Sequence, residues 1–64
     1  MTMIMYAVKC DKGYIKVEES GLRIVDMQKA SVFKSADDLQ EIIKRASDIE
    51  GVRAVELTIT ERSL

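Results

Sequence analysis

The chain contains no histidine, proline or tryptophan, and its single cysteine is Cys10. One cysteine excludes an internal disulfide, and the lack of histidine removes the usual ligand sets of zinc sites. No Ser-His-Asp set is possible, and the three glycines fall where turns or a helix end are expected, so none is left for a phosphate loop. We therefore expect no enzyme activity, no metal and no cofactor.

Long apolar runs and an excess of one charge are also missing. No run approaches the roughly 20 residues of a membrane span, and the start MTMIMYAVK lacks the basic region and cleavage site of a secretory leader. These features predict a cytoplasmic protein without membrane contact. The net charge of −1 supports neither a basic grip on nucleic acid nor an acidic DNA mimic.

The length of 64 residues predicts a single domain, 1–64. A domain of this size buries only about 60% of the surface that its unfolded chain exposes, so its stability is marginal without help. Disulfides, metals and oligomerisation are the usual aids, and the first two are excluded here. Association with a second copy or a partner protein is the remaining aid.

Alternating patterns predict four strands. Segment 4–10 is apolar at both alternating sets of positions, which suits a central strand covered on both faces. The stretch CDKGY predicts a three-residue hairpin loop with a bulge. Further strands are expected at 14–19, 22–27 and 52–61, the last with Val55, Leu57 and Ile59 facing inward.

Between the third and fourth strands the period changes to that of a helix. Ser35 is a strong N-cap, and Gly51 is placed to end a helix of about 13 residues as its C′ residue. One apolar stripe consists of Leu39, Ile42, Ile43, Ala46 and Ile49. Before it, Asp26 is expected to cap a single helical turn, and Phe33 to enter the core.

The fold class that follows is α+β, with the order β-β-β-α-β. The helix links strands three and four, which are expected to run parallel if both belong to one sheet, by the usual right-handed crossover. Placing the last strand beside the first gives the sheet order 3-2-1-4 and puts the doubly apolar first strand inside. We predict one helix packed on one face of a small mixed sheet.

One helix about 20 Å long cannot cover both faces of such a sheet. We therefore predict that the uncovered face is buried against a second copy, as in a homodimer, or against a target protein. The candidate interface residues are Met5, Tyr6, Tyr14, Leu22, Ile24, Val25 and Met27. The competing interpretation is that this apolar area stays in water or is covered by the N-terminal residues.

Three smaller groups invite a chemical interpretation. Tyr6 and Tyr14 could form a stacking platform for nucleic-acid bases with Lys9 and Lys16 beside them, which is the alternative function. Cys10 has basic neighbours but no histidine base, so a packing role is favoured. The acidic residues that open the helix, Asp37, Asp38 and Glu41, complement its positive end, which explains them without a metal.

The chain also resembles a type of small, uncharacterised protein common in phages and prophages of Gram-positive bacteria. The likeness lies in a hairpin of the pattern Y-x-x-K-x-x-x-G-Y, an A-x-x-F joint before a capped helix, and a closing apolar strand. The matching positions are Tyr6, Lys9, Gly13 and Tyr14, then Ala30 and Phe33, then the strand from Val52. The resemblance implies a phage accessory protein that modulates a host protein, and it implies no catalytic residue.

Overall fold

The computed structural model describes every residue of the chain, 1–64. Four strands, one α-helix and two 3₁₀ turns follow one another. Their bounds are β1 Thr2–Cys10, β2 Gly13–Glu18, β3 Gly21–Val25, a 3₁₀ turn Met27–Lys29, a second 3₁₀ turn Ala36–Asp38, α1 Leu39–Arg45 and β4 Arg53–Thr60. The predicted element order and the α+β class are confirmed.

The strands form one sheet in the predicted order β3-β2-β1-β4, but every neighbouring pair is antiparallel. The expectation of a mixed sheet with β3 parallel to β4 is therefore wrong. The register gives the reason. Val25, the last residue of β3, and Arg53, the first residue of β4, lie in one row of paired residues that runs across the sheet through Tyr14 and Lys9. The connection leaves and re-enters the sheet at one end, so β3 and β4 run in opposite directions.

The hairpin connections are tighter than expected. Cys10 pairs with Gly13 and Glu18 pairs with Gly21, which leaves two residues in each turn. The predicted three-residue loop with a bulge is wrong. A Cβ on Gly13 would stand 2.7 Å from the carbonyl oxygen of Val25, so the close approach of β3 requires glycine here.

β1 and β2 pair directly at only two positions next to their turn and then diverge. The gap is filled by residues 31–33, which we call the wedge. The backbone N–H of Tyr6 in β1 donates to the carbonyl of Phe33 at 2.8 Å, and the reverse bond has the same length. Because this bridge is antiparallel, the wedge runs antiparallel to β1 and parallel to β2.

Ser31 attaches the wedge to β2 through two bonds. Its backbone N–H donates to the carbonyl of Ile15 at 3.3 Å, and its hydroxyl accepts from the backbone N–H of Val17 at 2.9 Å. In a parallel ladder a carbonyl would receive that second bond, so the Ser31 Oγ takes the place of a backbone acceptor. Ser31 thereby satisfies a strand donor that the splayed hairpin would leave unpaired.

α1 packs over one face of the sheet. The core cluster consists of Val8, Cys10, Ile15, Leu39 and Ile42, against which Tyr6, Val17, Leu22, Phe33, Ile43, Ile49 and Val52 pack. The predicted helical stripe and the core position of Phe33 are confirmed. Burial of the stripe, rather than helix propensity, stabilises so short a helix.

The helix is shorter than the sequence pattern suggested. Ser35 caps the 3₁₀ turn that precedes α1, since its hydroxyl accepts from the backbone N–H of Asp37 at 3.2 Å. α1 ends at Arg45, and the chain continues in tight turns in which the N–H of Ile49 bonds to the carbonyl of Ala46. Gly51 has φ 76°, so it closes these turns rather than the helix itself.

Candidate functional site

The strand register assigns each side chain to one of two faces. Val8 and Ile15 belong to the cluster that α1 covers, so their face is the helix side. Side chains directly opposite each other in an antiparallel pair share a face, and successive side chains alternate. The opposite face, which we call the back face, therefore carries the alternate set that includes Ala7 and Tyr14.

The back face has an apolar half built on β1 and β4. Three registered pairs form it: Met3 with Ile59, Met5 with Leu57, and Ala7 with Val55. Val32 lies next to them. Phe33, which follows it in the wedge, packs on the helix side, and successive side chains of an extended chain alternate, so the Val32 side chain points to the back face. Within this half Ala7 is fully buried and Met5, Val55 and Leu57 are half-buried, so its exposed members are Met3, Ile59 and Val32.

The far ends of β1 and β4 project beyond α1 as a two-stranded ribbon, residues 1–5 and 57–61, which we call the arm. Met3 on the back face is 49% exposed, and its neighbour Ile4 on the helix side is 48% exposed. Both faces of the arm are therefore exposed at positions 3 and 4, whereas Met5 and Leu57 at its base are half-buried, and the protein measures 41 × 23 × 22 Å. The N-terminal residues form this ribbon from Thr2 onward, so they do not fold over the sheet.

The arm gives the protein more surface than a compact monomer of its size has. The accessible surface is 5049 Å², whereas a 7.2 kDa monomer is expected to expose about 4,100 Å². The radius of gyration is 12.3 Å against about 10.7 Å for a compact domain of this length. The excess of roughly 900 Å² is close to the about 800 Å² that each partner buries in a standard interface.

The other half of the back face is basic. Lys9 pairs with Arg53 and with Tyr14, and Lys16 pairs with Arg23, so these side chains share the face near the β1–β2 turn. The Lys9 ammonium lies 5.3 Å from the centre of the Tyr14 ring. This geometry fits a cation–π contact on an exposed surface.

Two exposed ion pairs offset part of this positive charge. Arg23 lies 3.6 Å from a carboxylate oxygen of Glu18, and Arg53 lies 3.7 Å from one of Asp11. Lys9 and Lys16 have no carboxylate within salt-bridge distance. Exposed pairs of this kind contribute little to stability, so both arginines remain available to a ligand or partner.

The seven candidate interface residues are divided by the structure. Met5, Tyr14 and Val25 lie on the back face. Tyr6 and Leu22 are on the helix side, where they pack against the core. The two tyrosines therefore point to opposite faces, and a stacking platform made from both does not form.

The remaining two candidates lie away from the back face. Ile24 pairs with Ile15, which places it on the helix side, where it is 44% exposed at the rim of the core. Met27 begins the first 3₁₀ turn, outside the sheet, and is 54% exposed. The structure thus brings together three of the seven predicted residues and separates the other four.

The sequence prediction missed the contribution of β4. Val55, Leu57 and Ile59 were expected to face inward; their pairing with β1 places them on the back face, where Val55 and Leu57 are half-buried and Ile59 is exposed. Strict alternation identifies which residues share a face, but it does not say which face the helix covers. Pairing the odd-numbered residues of β4 with the odd-numbered residues of β1, which include Met5, would have placed both sets on the same face.

The residues considered for chemistry lie in different parts of the fold. Cys10 is 1% exposed and belongs to the core, at the wall of a cleft of about 270 Å³ that Ile24, Ile49 and Glu50 also line. Asp37 and Asp38 lie in the 3₁₀ turn that Ser35 caps. No group of three or more acidic, cysteine or histidine side chains is placed to hold a metal ion.

The chain matches no protein-family model, no curated protein and no solved structure. None of its helices has both the length and the apolar character that crossing a membrane requires.

Proposed function

We propose that this protein is a non-enzymatic protein-binding module that associates with a second copy of itself through the apolar half of the back face. The observation that carries the proposal is the excess of roughly 900 Å² over the surface of a compact monomer. Part of the exposed surface is apolar and lies on the back face, where Met3, Ile59 and Val32 are 49%, 48% and 46% exposed, and apolar patches on soluble proteins often mark an interface.

The composition of the apolar half supports a second copy as the partner. Its centre, around Met5 and Leu57, has no charged side chain, and charged groups lie beside it at Lys9 and Arg53. An apolar centre with a charged margin is typical of homodimer interfaces. A two-fold contact also supplies the stabilising burial that a chain without disulfides or metals lacks.

Sedimentation velocity on two matched variants tests this proposal. Met3 and Ile4 are 49% and 48% exposed on the arm, but Met3 lies on the back face and Ile4 on the helix side. We expect Met3→Lys to halve the mass of the assembly at micromolar concentration, while Ile4→Lys leaves it unchanged. Equal masses for the wild type and Met3→Lys would contradict back-face association.

The resemblance to phage-encoded proteins extends the proposal to the host. On this basis the protein is an accessory phage protein that binds and modulates a bacterial host protein in the cytoplasm. Affinity purification from the host with mass spectrometry identifies candidates, and reconstitution from purified components tests each one. Failure of every candidate to bind the purified protein would remove this extension and leave self-association untouched.

The alternative function is binding of single-stranded nucleic acid at the basic half of the back face. The observation that favours it is the grouping of Lys9, Lys16, Arg23 and Arg53 around Tyr14. Against it stands the position of Tyr6 on the other face, because one ring stacks one base. Fluorescence anisotropy with an oligothymidylate at low salt tests it, with Tyr14→Ala as the variant; no binding at low salt would exclude it.

A further inference from the structure

The outer edge of β4 carries a row of unpaired backbone groups. The N–H and C=O of Tyr6 both bond to the wedge, so they point away from its β4 partner, Glu56. In an antiparallel ladder this makes the neighbouring pairs the hydrogen-bonded ones, and the bond from Glu61 N–H to the carbonyl of Met1 fits the same alternation. The residues whose N–H and C=O point outward are consequently Ala54, Glu56, Thr58 and Thr60.

This edge lacks the features that usually block pairing. β4 has eight residues and is the last strand of the sheet on its side. It contains no proline and no lysine, its two charged residues are Arg53 at its start and Glu56, and no loop or helix supplies a hydrogen bond to its outer groups. The opposite edge strand, β3, has only five residues and a central arginine, Arg23. An edge that is long and regular and that no loop, helix or proline covers is a template for another strand.

We propose that β4 pairs antiparallel with β4 of a second copy, about a two-fold axis at Leu57, so that two sheets join into one of eight strands. The four outward-facing residues of each strand then exchange about eight hydrogen bonds. On the back face the opposed side chains become Leu57 with Leu57, Val55 with Ile59, and Arg53 with Glu61. Two symmetric ion pairs therefore flank an apolar centre.

The charged side chains favour one register of the β4–β4 pairing over its neighbours. An axis at Glu56 would set two glutamates directly opposite each other and Arg53 against Ile59, both unfavourable across strands. An axis at Thr58 would place Glu61 against Val55. The axis at Leu57 opposes Arg53 to Glu61 at both ends and sets no like charges directly opposite. Because the contact is isologous, it closes after two copies and does not propagate.

Cysteine cross-linking tests both the pairing and its register. In a Cys10→Ala background, Glu56→Cys and Thr58→Cys are prepared, each alone and mixed after equilibration under reducing conditions. The axis at Leu57 sets Glu56 opposite Thr58 of the other copy, at a Cα separation of about 5.5 Å, which a disulfide spans. Mild oxidation is therefore expected to give a covalent dimer in the mixture and little in either variant alone.

Every outcome of this test is decisive. Efficient cross-linking of Glu56→Cys alone, or of Thr58→Cys alone, would contradict the proposed register. No cross-linking above that of a collision control, Gln40→Cys on the exposed outer side of α1, would overturn edge pairing. Glu56 and Thr58 point to the helix side, so the back-face contact proposed above cannot produce this result.

A backbone variant checks the hydrogen bonds separately. Thr58→Pro removes an N–H that points away from β1, so the bonds within the protomer remain while the edge loses a donor. We expect it to halve the mass of the assembly, whereas Thr58→Ala does not. If Thr58→Pro does not fold, circular dichroism will show it, and the cross-linking result still decides.

A charge reversal checks the predicted ion pairs. Arg53→Glu should weaken association roughly tenfold, because two cross-strand pairs change from attraction to repulsion. Adding Glu61→Arg should restore it, since the charges are then exchanged. Because Arg53 also contacts Asp11 and Gly51 of its own chain, the restoration is the informative result. Failure of Glu61→Arg to restore association would count against this register.

Discussion

Removing the Ser31 hydroxyl tests whether the wedge holds the splayed hairpin together. In Ser31→Ala, the backbone N–H of Val17 loses its only side-chain acceptor, at 2.9 Å in a partly buried position. The backbone bond from Ser31 to Ile15 is unaffected by the substitution. The change therefore isolates one hydrogen bond at the point where β1 and β2 separate.

The expected magnitude follows from the burial of that donor. A buried donor left unpaired costs about 1–3 kcal/mol, and partial exposure places Val17 in the lower part of this range, about 1–2 kcal/mol. A domain of this length has an unfolding entropy of roughly 0.13 kcal/mol/K near its midpoint. The midpoint Tm should therefore fall by about 7–15 °C.

Thermal and urea unfolding followed by circular dichroism measure this change. Ser47→Ala is the matched control, because Ser47 is exposed and makes no side-chain hydrogen bond, and Ser31→Thr should retain most of the stability. Both measurements need two protein concentrations, since self-association raises apparent stability. The control is expected to change the free energy of unfolding by about 0.5 kcal/mol or less. If Ser31→Ala changes it no more than the control does, the hydroxyl does not hold the wedge.

Three further substitutions have defined outcomes. Phe33→Ala, which removes the wedge side chain that packs on the core, should lower the free energy of unfolding by about 2–3 kcal/mol; a loss below 1 kcal/mol in urea denaturation would refute its core role. Gly51→Ala should lower the free energy of unfolding by about 1–2 kcal/mol, because φ is 76° and the new Cβ would overlap the Asp11 carboxylate. Gly51→Asn should lower it less, and equal losses for the two variants would contradict the requirement for a left-handed backbone. Glu56→Gln should tighten association severalfold in sedimentation, since the proposed register makes the two Glu56 side chains diagonal neighbours; weaker association would argue against it.

Local patterns were sufficient for the element order and the strand order. Segment 4–10 is apolar at every position but Lys9, and that alone placed β1 inside the sheet. The turn residues and the Ser35 cap marked the boundaries to within a few positions. These features depend on neighbours in sequence, which is why they could be predicted.

The features that were missed depend on contacts between distant residues. The wedge is attached by a hydrogen bond from the N–H of Val17 to the hydroxyl of Ser31, fourteen positions apart, and no periodicity in the sequence predicts it. The end of α1 was placed too late because the spacing of Ala46 and Ile49 suits a helix and a series of tight turns equally well. The direction of β4 followed from where its connection re-enters the sheet, which is a tertiary property.

The same alternation that misled the assignment of β4 makes the two proposed contacts compatible. Odd-numbered residues of β4, such as Leu57 and Ile59, supply side chains to the back face, whereas even-numbered ones supply backbone groups to the outer edge. Edge pairing therefore leaves the apolar half open and sets two such halves side by side as one wider surface. Two edge-paired dimers that pack back face to back face would form a tetramer with dihedral symmetry. The wild type should then sediment as four chains, and Met3→Lys and Thr58→Pro should each leave two, by breaking different contacts.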